Sequence, residues 1–246
     1  GREGDRHRGE LLAAVLAAHR ESGAAATIVL APVDNPRAYG VVETDEAGRV
    51  THFYEKPAAD KDLPTNTVNA GIYVIEPEVL TYMPAGETVT FEYDLFPALL
   101  EQGVHVQSFA AGGYWTDIGT PKRFLRANLD VLAGLLGPTF VPARETVERA
   151  DPKAEIDALS WLDPSVTVKP GAQIVNSVIE DNCVIEERAI VENSVIRRAS
   201  RISQSAAVRD SVVGQSTHVG RFSTIRGAAV GDKSTVTDYS QIGEIR

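Results

Sequence analysis

Two hydrophobic periods divide the chain. In the first half, Leu11, Leu12, Val15 and Leu16, followed by His19, keep helical spacing, and Gly23 marks the end of that helix. Residues 26–30 form a short apolar run that predicts a buried strand, and residues 32–36 a turn. Residues 39–45 and 49–54 read as two strands joined as a hairpin at Asp45-Glu46-Ala47-Gly48. Residues 68–75 predict the next strand, Pro77 a short helix through Leu80, and residues 93–100 a helix ended by Gly103. A strand over 104–109 follows, and Pro121 opens a helix carrying Phe124, Leu125, Leu129, Leu132 and Leu136. Residues 1–10 lack apolar periodicity and predict an irregular start. Strands alternating with helices predict an α/β layer with a largely parallel sheet.

Beyond residue 137 the pattern changes. Residues 137–164 hold four prolines and a charged stretch, which predicts a linker over 138–164 between a first domain, 1–137, and a second, 165–246. In the second, aliphatic residues recur every six positions: Val166, Ala172, Val178, Val184, Ile190, Ile196, Ile202 and Val208. The phase slips back by one to Val213, Val219 and Ile225, and again to Val230, Val236 and Ile242. A period of six fits neither a helix nor a hairpin array. It predicts hexapeptide repeats of a parallel β-helix, three hexads to a coil, with the repeated aliphatic inward and a missing corner residue at each slip.

Composition narrows the function. Lys plus Arg is 24 and Asp plus Glu 34, a net charge of −10 over 246 residues. An acidic chain with no basic block is unsuited to nucleic acid or anionic lipid, though one basic pocket for a phosphate is compatible with it. The single Cys183 excludes an intrachain disulfide, fits a reducing cytoplasm, and sits next to the expected inward Val184 as an inert thiol. No apolar run approaches the roughly 20 residues of a membrane-spanning helix.

Glu55-Lys56-Pro57 ends the strand over 49–54. A carboxylate that accepts sugar hydroxyls beside an ammonium that holds a phosphate makes a compact site for an anionic sugar. An adjacent Glu-Lys is also an ordinary solvated surface pair, and its neighbours decide between the two. Tyr39-Gly40-Val41-Val42, Phe53-Tyr54-Glu55-Lys56-Pro57, Asn69-Ala70-Gly71-Ile72-Tyr73 and Trp115-Thr116-Asp117-Ile118-Gly119-Thr120-Pro121 occur in that order. With the β-helix after them, they resemble sugar-phosphate nucleotidyltransferases, and most of all mannose-1-phosphate guanylyltransferases, over about residues 11–246.

The resemblance implies a Rossmann-like nucleotidyltransferase domain followed by a left-handed parallel β-helix. It implies a reaction of sugar 1-phosphate with nucleoside triphosphate that yields an NDP-sugar and pyrophosphate, with Mg²⁺. Carried over by motif, Gly40 brings its backbone close to the sugar, Glu55 binds hydroxyls, Lys56 binds the phosphate and acts in catalysis, and Asn69 lines the sugar pocket. Asp117 is the catalytic Mg²⁺ ligand, and Asp5, in a Gly4-Asp5 pair, the second metal ligand. Each has a plainer reading: Gly40 and Gly71 as turn or packing glycines, Asp117 as a turn or cap aspartate, Asn69 as a buried hydrogen-bonder, Trp115 as core. The family's Gly-x-Gly-Thr-Arg-Leu loop, which cradles the triphosphate, has no counterpart in this sequence. The expectation is therefore an N-terminally incomplete domain with impaired activity, its apolar surface exposed where strands are lost.

Two other classes remain. One is a regulatory or scaffolding subunit of the same two-domain form; the other is acyl transfer on the β-helix through His218, the only histidine of the repeat. The base and the sugar stay open, and the β-helix favours a homo-oligomer.

Overall fold

The computed structural model describes residues 2–55, 62–137, 140, 141 and 143–243, with the backbone alone for residues 2–10 and Glu55. It falls into two compact units, Gly1–Trp115 and Thr116–Arg246. In the first, five strands lie in the order β3 (Val50–Glu55), β2 (Gly40–Thr44), β4 (Thr67–Ile75), β1 (Ala26–Pro32) and β5 (Val106–Ala110). Only β1 and β5 run parallel; the β3–β2, β2–β4 and β4–β1 pairs are antiparallel. The sheet is therefore mixed, not largely parallel. Among the described residues no α-helix separates β2, β3 and β4, and strands joined without a crossover return antiparallel. The hairpin is as expected, closed where Asp45 Oδ1 accepts the Arg49 N–H at 2.9 Å.

Residues 26–31 of β1 are buried because both faces are covered. Ala26, Ile28 and Leu30 pack with Leu95, Phe96, Leu99 and Val106, on the side of α2 (Phe96–Glu101). Thr27, of opposite parity along the strand, meets α1 (Arg2–Ser22), where His19 Nδ1 hydrogen-bonds its hydroxyl at 2.8 Å. The helix continues back to Arg2, which corrects the irregular start. Residues 2–10 hold no proline, and arginine and glutamate favour helix even without an apolar stripe. Of the predicted stripe, Val15 and His19 are buried, while Leu12 and Leu16 are 54% and 40% exposed.

The second unit opens with α3 (Pro121–Leu132), capped by the Thr120 hydroxyl, which accepts the Arg123 N–H at 3.3 Å. A parallel β-helix follows, of about six turns and consistent with the left-handed form. It has sheets of six, five and six strands, each strand only two or three residues long. Its first coil is β6 (Arg149–Ala150), β7 (Glu155–Ile156) and β8 (Trp161–Leu162), inside the stretch read as linker. Partners on successive coils lie 17 residues apart, as in Val178↔Val195 and the Ser194–Ser177 bond, except at Arg149↔Thr167 and Glu155↔Gln173, where the spacing is 18.

That coil length corrects the phase over Val178, Val184 and Ile190, while the expected inward residues Ile196 to Ile225 are fully buried. The fully inward aliphatics run Leu162, Val168, Ile174, then Ile179, Ile185, Val191, then Ile196, Ile202, Val208. From Leu162 on, each coil is thus two hexads and a pentad, with a slip at every turn. Val178, Val184 and Ile190 are half-buried, and their neighbours Ile179, Ile185 and Val191 point inward. Two adjacent aliphatics per strand make the inward one ambiguous in sequence. A second inward column, two residues earlier, holds small residues: Ala172, Ser177, Cys183, Ala189 and Ser194 are all fully buried. Cys183 is itself inward, not beside an inward residue.

The buried serines form a ladder. Ser177 Oγ donates to the Val175 carbonyl at 2.7 Å and accepts the Ser194 N–H at 3.1 Å. Ser194 repeats the pattern with Glu192 and Ser211, and Ser211 with Arg209 and Ala228.

Candidate functional site

Pairing in the first unit lines up three of the predicted site residues. Glu55 of β3 is the direct partner of Gly40 of β2. Val41 is the partner of Val68, and this antiparallel register sets Gly40 beside Asn69 of β4. Across β3, β2 and β4 the row reads Glu55, Gly40, Asn69. Its middle position has no side chain, and Gly40 is buried there.

Beside that row β4 bulges. The β1–β4 register jumps from Ile28↔Tyr73 to Leu30↔Asn69, so Ala70, Gly71 and Ile72 oppose Val29 alone. Gly71 takes φ +75°, a backbone conformation that favours glycine. Asn69 Oδ1 accepts the Gly71 N–H at 2.9 Å and holds the bulge. Trp115 Nε1 donates to the Ala70 carbonyl at 3.2 Å, and the Trp115 ring meets Tyr39 edge to face at 5.5 Å. Trp115 therefore braces the bulge rather than filling a core.

Asn69 also belongs to a network that sequence reasoning missed. Its Nδ2 donates to Tyr73 Oη at 2.6 Å and to Glu92 Oε1 at 3.4 Å, and Tyr73 Oη donates to the same Glu92 oxygen at 3.0 Å. Glu92 lies on a π-helical turn, Phe91–Leu95, opened by the Thr90 hydroxyl. Thr90, through its backbone N–H first and its hydroxyl second, holds Asp94 below the usual carboxylate range. The available signal was a lone acid within an aromatic run, Phe91-Glu92-Tyr93.

Asp117 belongs to the second unit. Its Oδ1 accepts the Gly119 N–H at 2.8 Å and its Oδ2 pairs with Arg123 of α3, so here it serves the turn that leads into the helix. At the N-terminal end of that helix lies a cavity of about 430 Å³, lined by Ile118, Thr120, Phe124, Arg197 and Val230 among others. Arg197 stands 5.9 Å over the Phe124 ring.

Lys56 lies outside the described residues, as do the side chains of Glu55 and Asp5; the Asp5 backbone is part of α1. Among the described residues, no three His, Cys, Asp or Glu side chains group so as to hold a metal ion. Asp117 fits as a single ligand: a carboxylate with lone pairs beyond its two present bonds suits Mg²⁺, which takes one or two carboxylates and completes its shell with phosphate and water. His218 Nε2 lies 3.2 Å from Ser203 Oγ, and no third described group is bonded to the imidazole. Among the described residues no helix is long and apolar enough to cross a membrane.

Comparison with known proteins gives two matches in order along the chain. A family described as nucleotidyl transferase matches residues 4–134, and one described as GMPPB C-terminal domain matches residues 151–245. A mannose-1-phosphate guanylyltransferase of Mycobacterium tuberculosis is 35% identical over 183 residues, 74% of this chain and 50% of that protein. A UTP–glucose-1-phosphate uridylyltransferase of Synechocystis is 32% identical over 70% of this chain and 47% of its own length. The catalytic subunit beta of a Drosophila pseudoobscura mannose-1-phosphate guanylyltransferase is 41% identical over 44% of this chain and 28% of its own. The chain spans about half the length, or less, of these relatives.

Proposed function

The chain belongs to the sugar-phosphate nucleotidyltransferase family, and from that membership we propose that it serves the synthesis of an NDP-sugar, GDP-mannose before others, from sugar 1-phosphate and nucleoside triphosphate. In that reaction an oxygen of the sugar phosphate forms a bond to the α-phosphorus as the bond to pyrophosphate breaks, and pyrophosphate leaves. The guanylyl and mannosyl preference rests on the order of the two family matches and on the mannose-1-phosphate guanylyltransferases among the relatives.

The row Glu55–Gly40–Asn69 carries the reading. Here a sugar lies against the bare backbone of Gly40, Glu55 accepts its hydroxyls, Asn69 lines the opposite side, and Lys56 meets the phosphate as a point charge. Asp117 keeps the assignment of Mg²⁺ ligand, with Asp5 as the second. When bound, the ion neutralises charge that develops on the phosphates. Self-association through the β-helix and work in a reducing cytoplasm belong to the same reading, and sizing of the purified chain by light scattering checks the first.

Calorimetry decides it: mannose 1-phosphate, glucose 1-phosphate, GTP and GDP-mannose are titrated into the chain with Mg²⁺. Binding of mannose 1-phosphate that is lost in both Glu55→Ala and Lys56→Ala supports the reading. A folded chain that binds none of the four overturns it and leaves a regulatory or scaffolding subunit.

A further inference from the structure

We propose that Glu92 is a positioning residue of this site: its carboxylate fixes the Asn69 amide, directly and through Tyr73, so that Asn69 presents an acceptor to a sugar hydroxyl. The inference rests on the sugar-site reading and adds to it a residue on another element.

An asparagine amide has one end that accepts and one that donates, and it can turn over with little change of shape. Here each end is held. Oδ1 takes the Gly71 N–H at 2.9 Å, and Nδ2 gives to Tyr73 Oη at 2.6 Å and to Glu92 Oε1 at 3.4 Å. An ionised glutamate only accepts, so a turned amide would set Oδ1 against the carboxylate and Nδ2 against the Gly71 N–H. Tyr73 reinforces the choice: its hydroxyl donates to Glu92 at 3.0 Å and so can only accept from Asn69. With both Nδ2 hydrogens directed at these partners, Asn69 offers a ligand the second lone pair of Oδ1.

The geometry around Glu92 is built to hold it. The π-helical turn Phe91–Leu95 interrupts the approach to α2, and such turns often serve to re-aim a side chain at a functional site. The Tyr73 ring is bracketed by Phe91 and Phe96, each with its centroid 5.2 Å away, which fixes where its hydroxyl sits. Glu92 is half-buried, so water competes only partly for its oxygens.

A charge exchange tests this with mannose 1-phosphate as the titrant and melting temperature as the control for folding. Glu92→Ala is expected to weaken binding about tenfold or more, and Glu92→Gln, which keeps an acceptor oxygen, to recover most of it. Asn69→Asp places two carboxylates together and should also bind weakly. The double variant Asn69→Asp with Glu92→Gln restores one donor facing one acceptor, and should bind at least several-fold tighter than Asn69→Asp alone. Wild-type affinity in Glu92→Ala, or a double variant no tighter than Asn69→Asp, overturns the inference while the sugar site stands. A folded wild-type chain that binds no sugar phosphate overturns both.

Discussion

Gly40 and Glu55 face each other as direct partners in the β2–β3 hairpin, and the glycine stands where a side chain would fill the row between Glu55 and Asn69. Gly40 is buried, so a valine there adds volume at a covered point of the sheet and displaces whatever lies against the backbone. Gly40→Val is expected to lower mannose 1-phosphate affinity at least tenfold and to lower the melting temperature by several degrees. Calorimetry and thermal unfolding on the same preparation separate the two effects. An unchanged affinity would remove Gly40 from the site.

The Asp117–Arg123 pair sets up a competition. Both groups are about a third exposed, and such ion pairs are worth no more than about 1 kcal/mol. If Asp117 ligates Mg²⁺, the guanidinium and the cation seek the same carboxylate. Arg123→Gln should therefore tighten Mg²⁺ binding by up to about fivefold, the equivalent of that energy, and Asp117→Asn should weaken it in either background. Titration with Mn²⁺, followed by its paramagnetic resonance, reads both. A cation affinity indifferent to Asp117→Asn would leave the aspartate with its turn role alone.

The serine ladder makes a stability prediction that concerns no ligand. Ser194 Oγ accepts the Ser211 N–H at 3.1 Å and gives its own hydrogen to the Glu192 carbonyl at 2.7 Å, in a fully buried position. Ser194→Ala orphans a buried N–H, at a cost of about 1–3 kcal/mol. Ser194→Cys costs less, because Cys183 already occupies the equivalent inward column. Urea unfolding measures both, and a neutral alanine variant would show that water reaches the ladder.

The β-helix was legible in the sequence because its core recurs, and its phase was legible from Ile196 to Ile225 but not over Val178, Val184 and Ile190. Asn176-Ser177-Val178-Ile179 and Asn193-Ser194-Val195-Ile196 repeat at 17 residues, and this longer period sets Ile196 in one column with Ile179, so Val178 and Ile196 cannot both be the inward residue. In a two-residue strand both positions are aliphatic and no alternation discriminates them. Ala150, Ile156 and Leu162 extend the hexads backwards, but prolines and charges around them read as a linker. In the first unit, strand positions were readable from local pattern, whereas strand direction depends on connections that local pattern does not describe. The motifs placed Gly40, Glu55 and Asn69; their alignment in one row needed the register. Glu92 lies 23 residues from Asn69 in the chain, and no local pattern joins them.

Cys183 gives the protein a pH dependence with a defined sign. Burial pushes its thiol up to about 11 from 9.0, because a thiolate loses its hydration in the β-helix core. A folded-state value raised above the unfolded one means that the native state keeps a proton the unfolded chain releases. The contribution is whole below pH 9.0 and is lost as pH rises toward 11. Its full size is about 2–3 kcal/mol. Cys183→Ala should therefore lose less stability than wild type between pH 8 and 10.5, measured by urea unfolding at each pH. The same burial should shield the native thiol from iodoacetamide at pH 8, with reaction only on unfolding. Parallel pH curves for the two proteins, or ready alkylation of the native chain, would show that the coil around Cys183 opens to solvent.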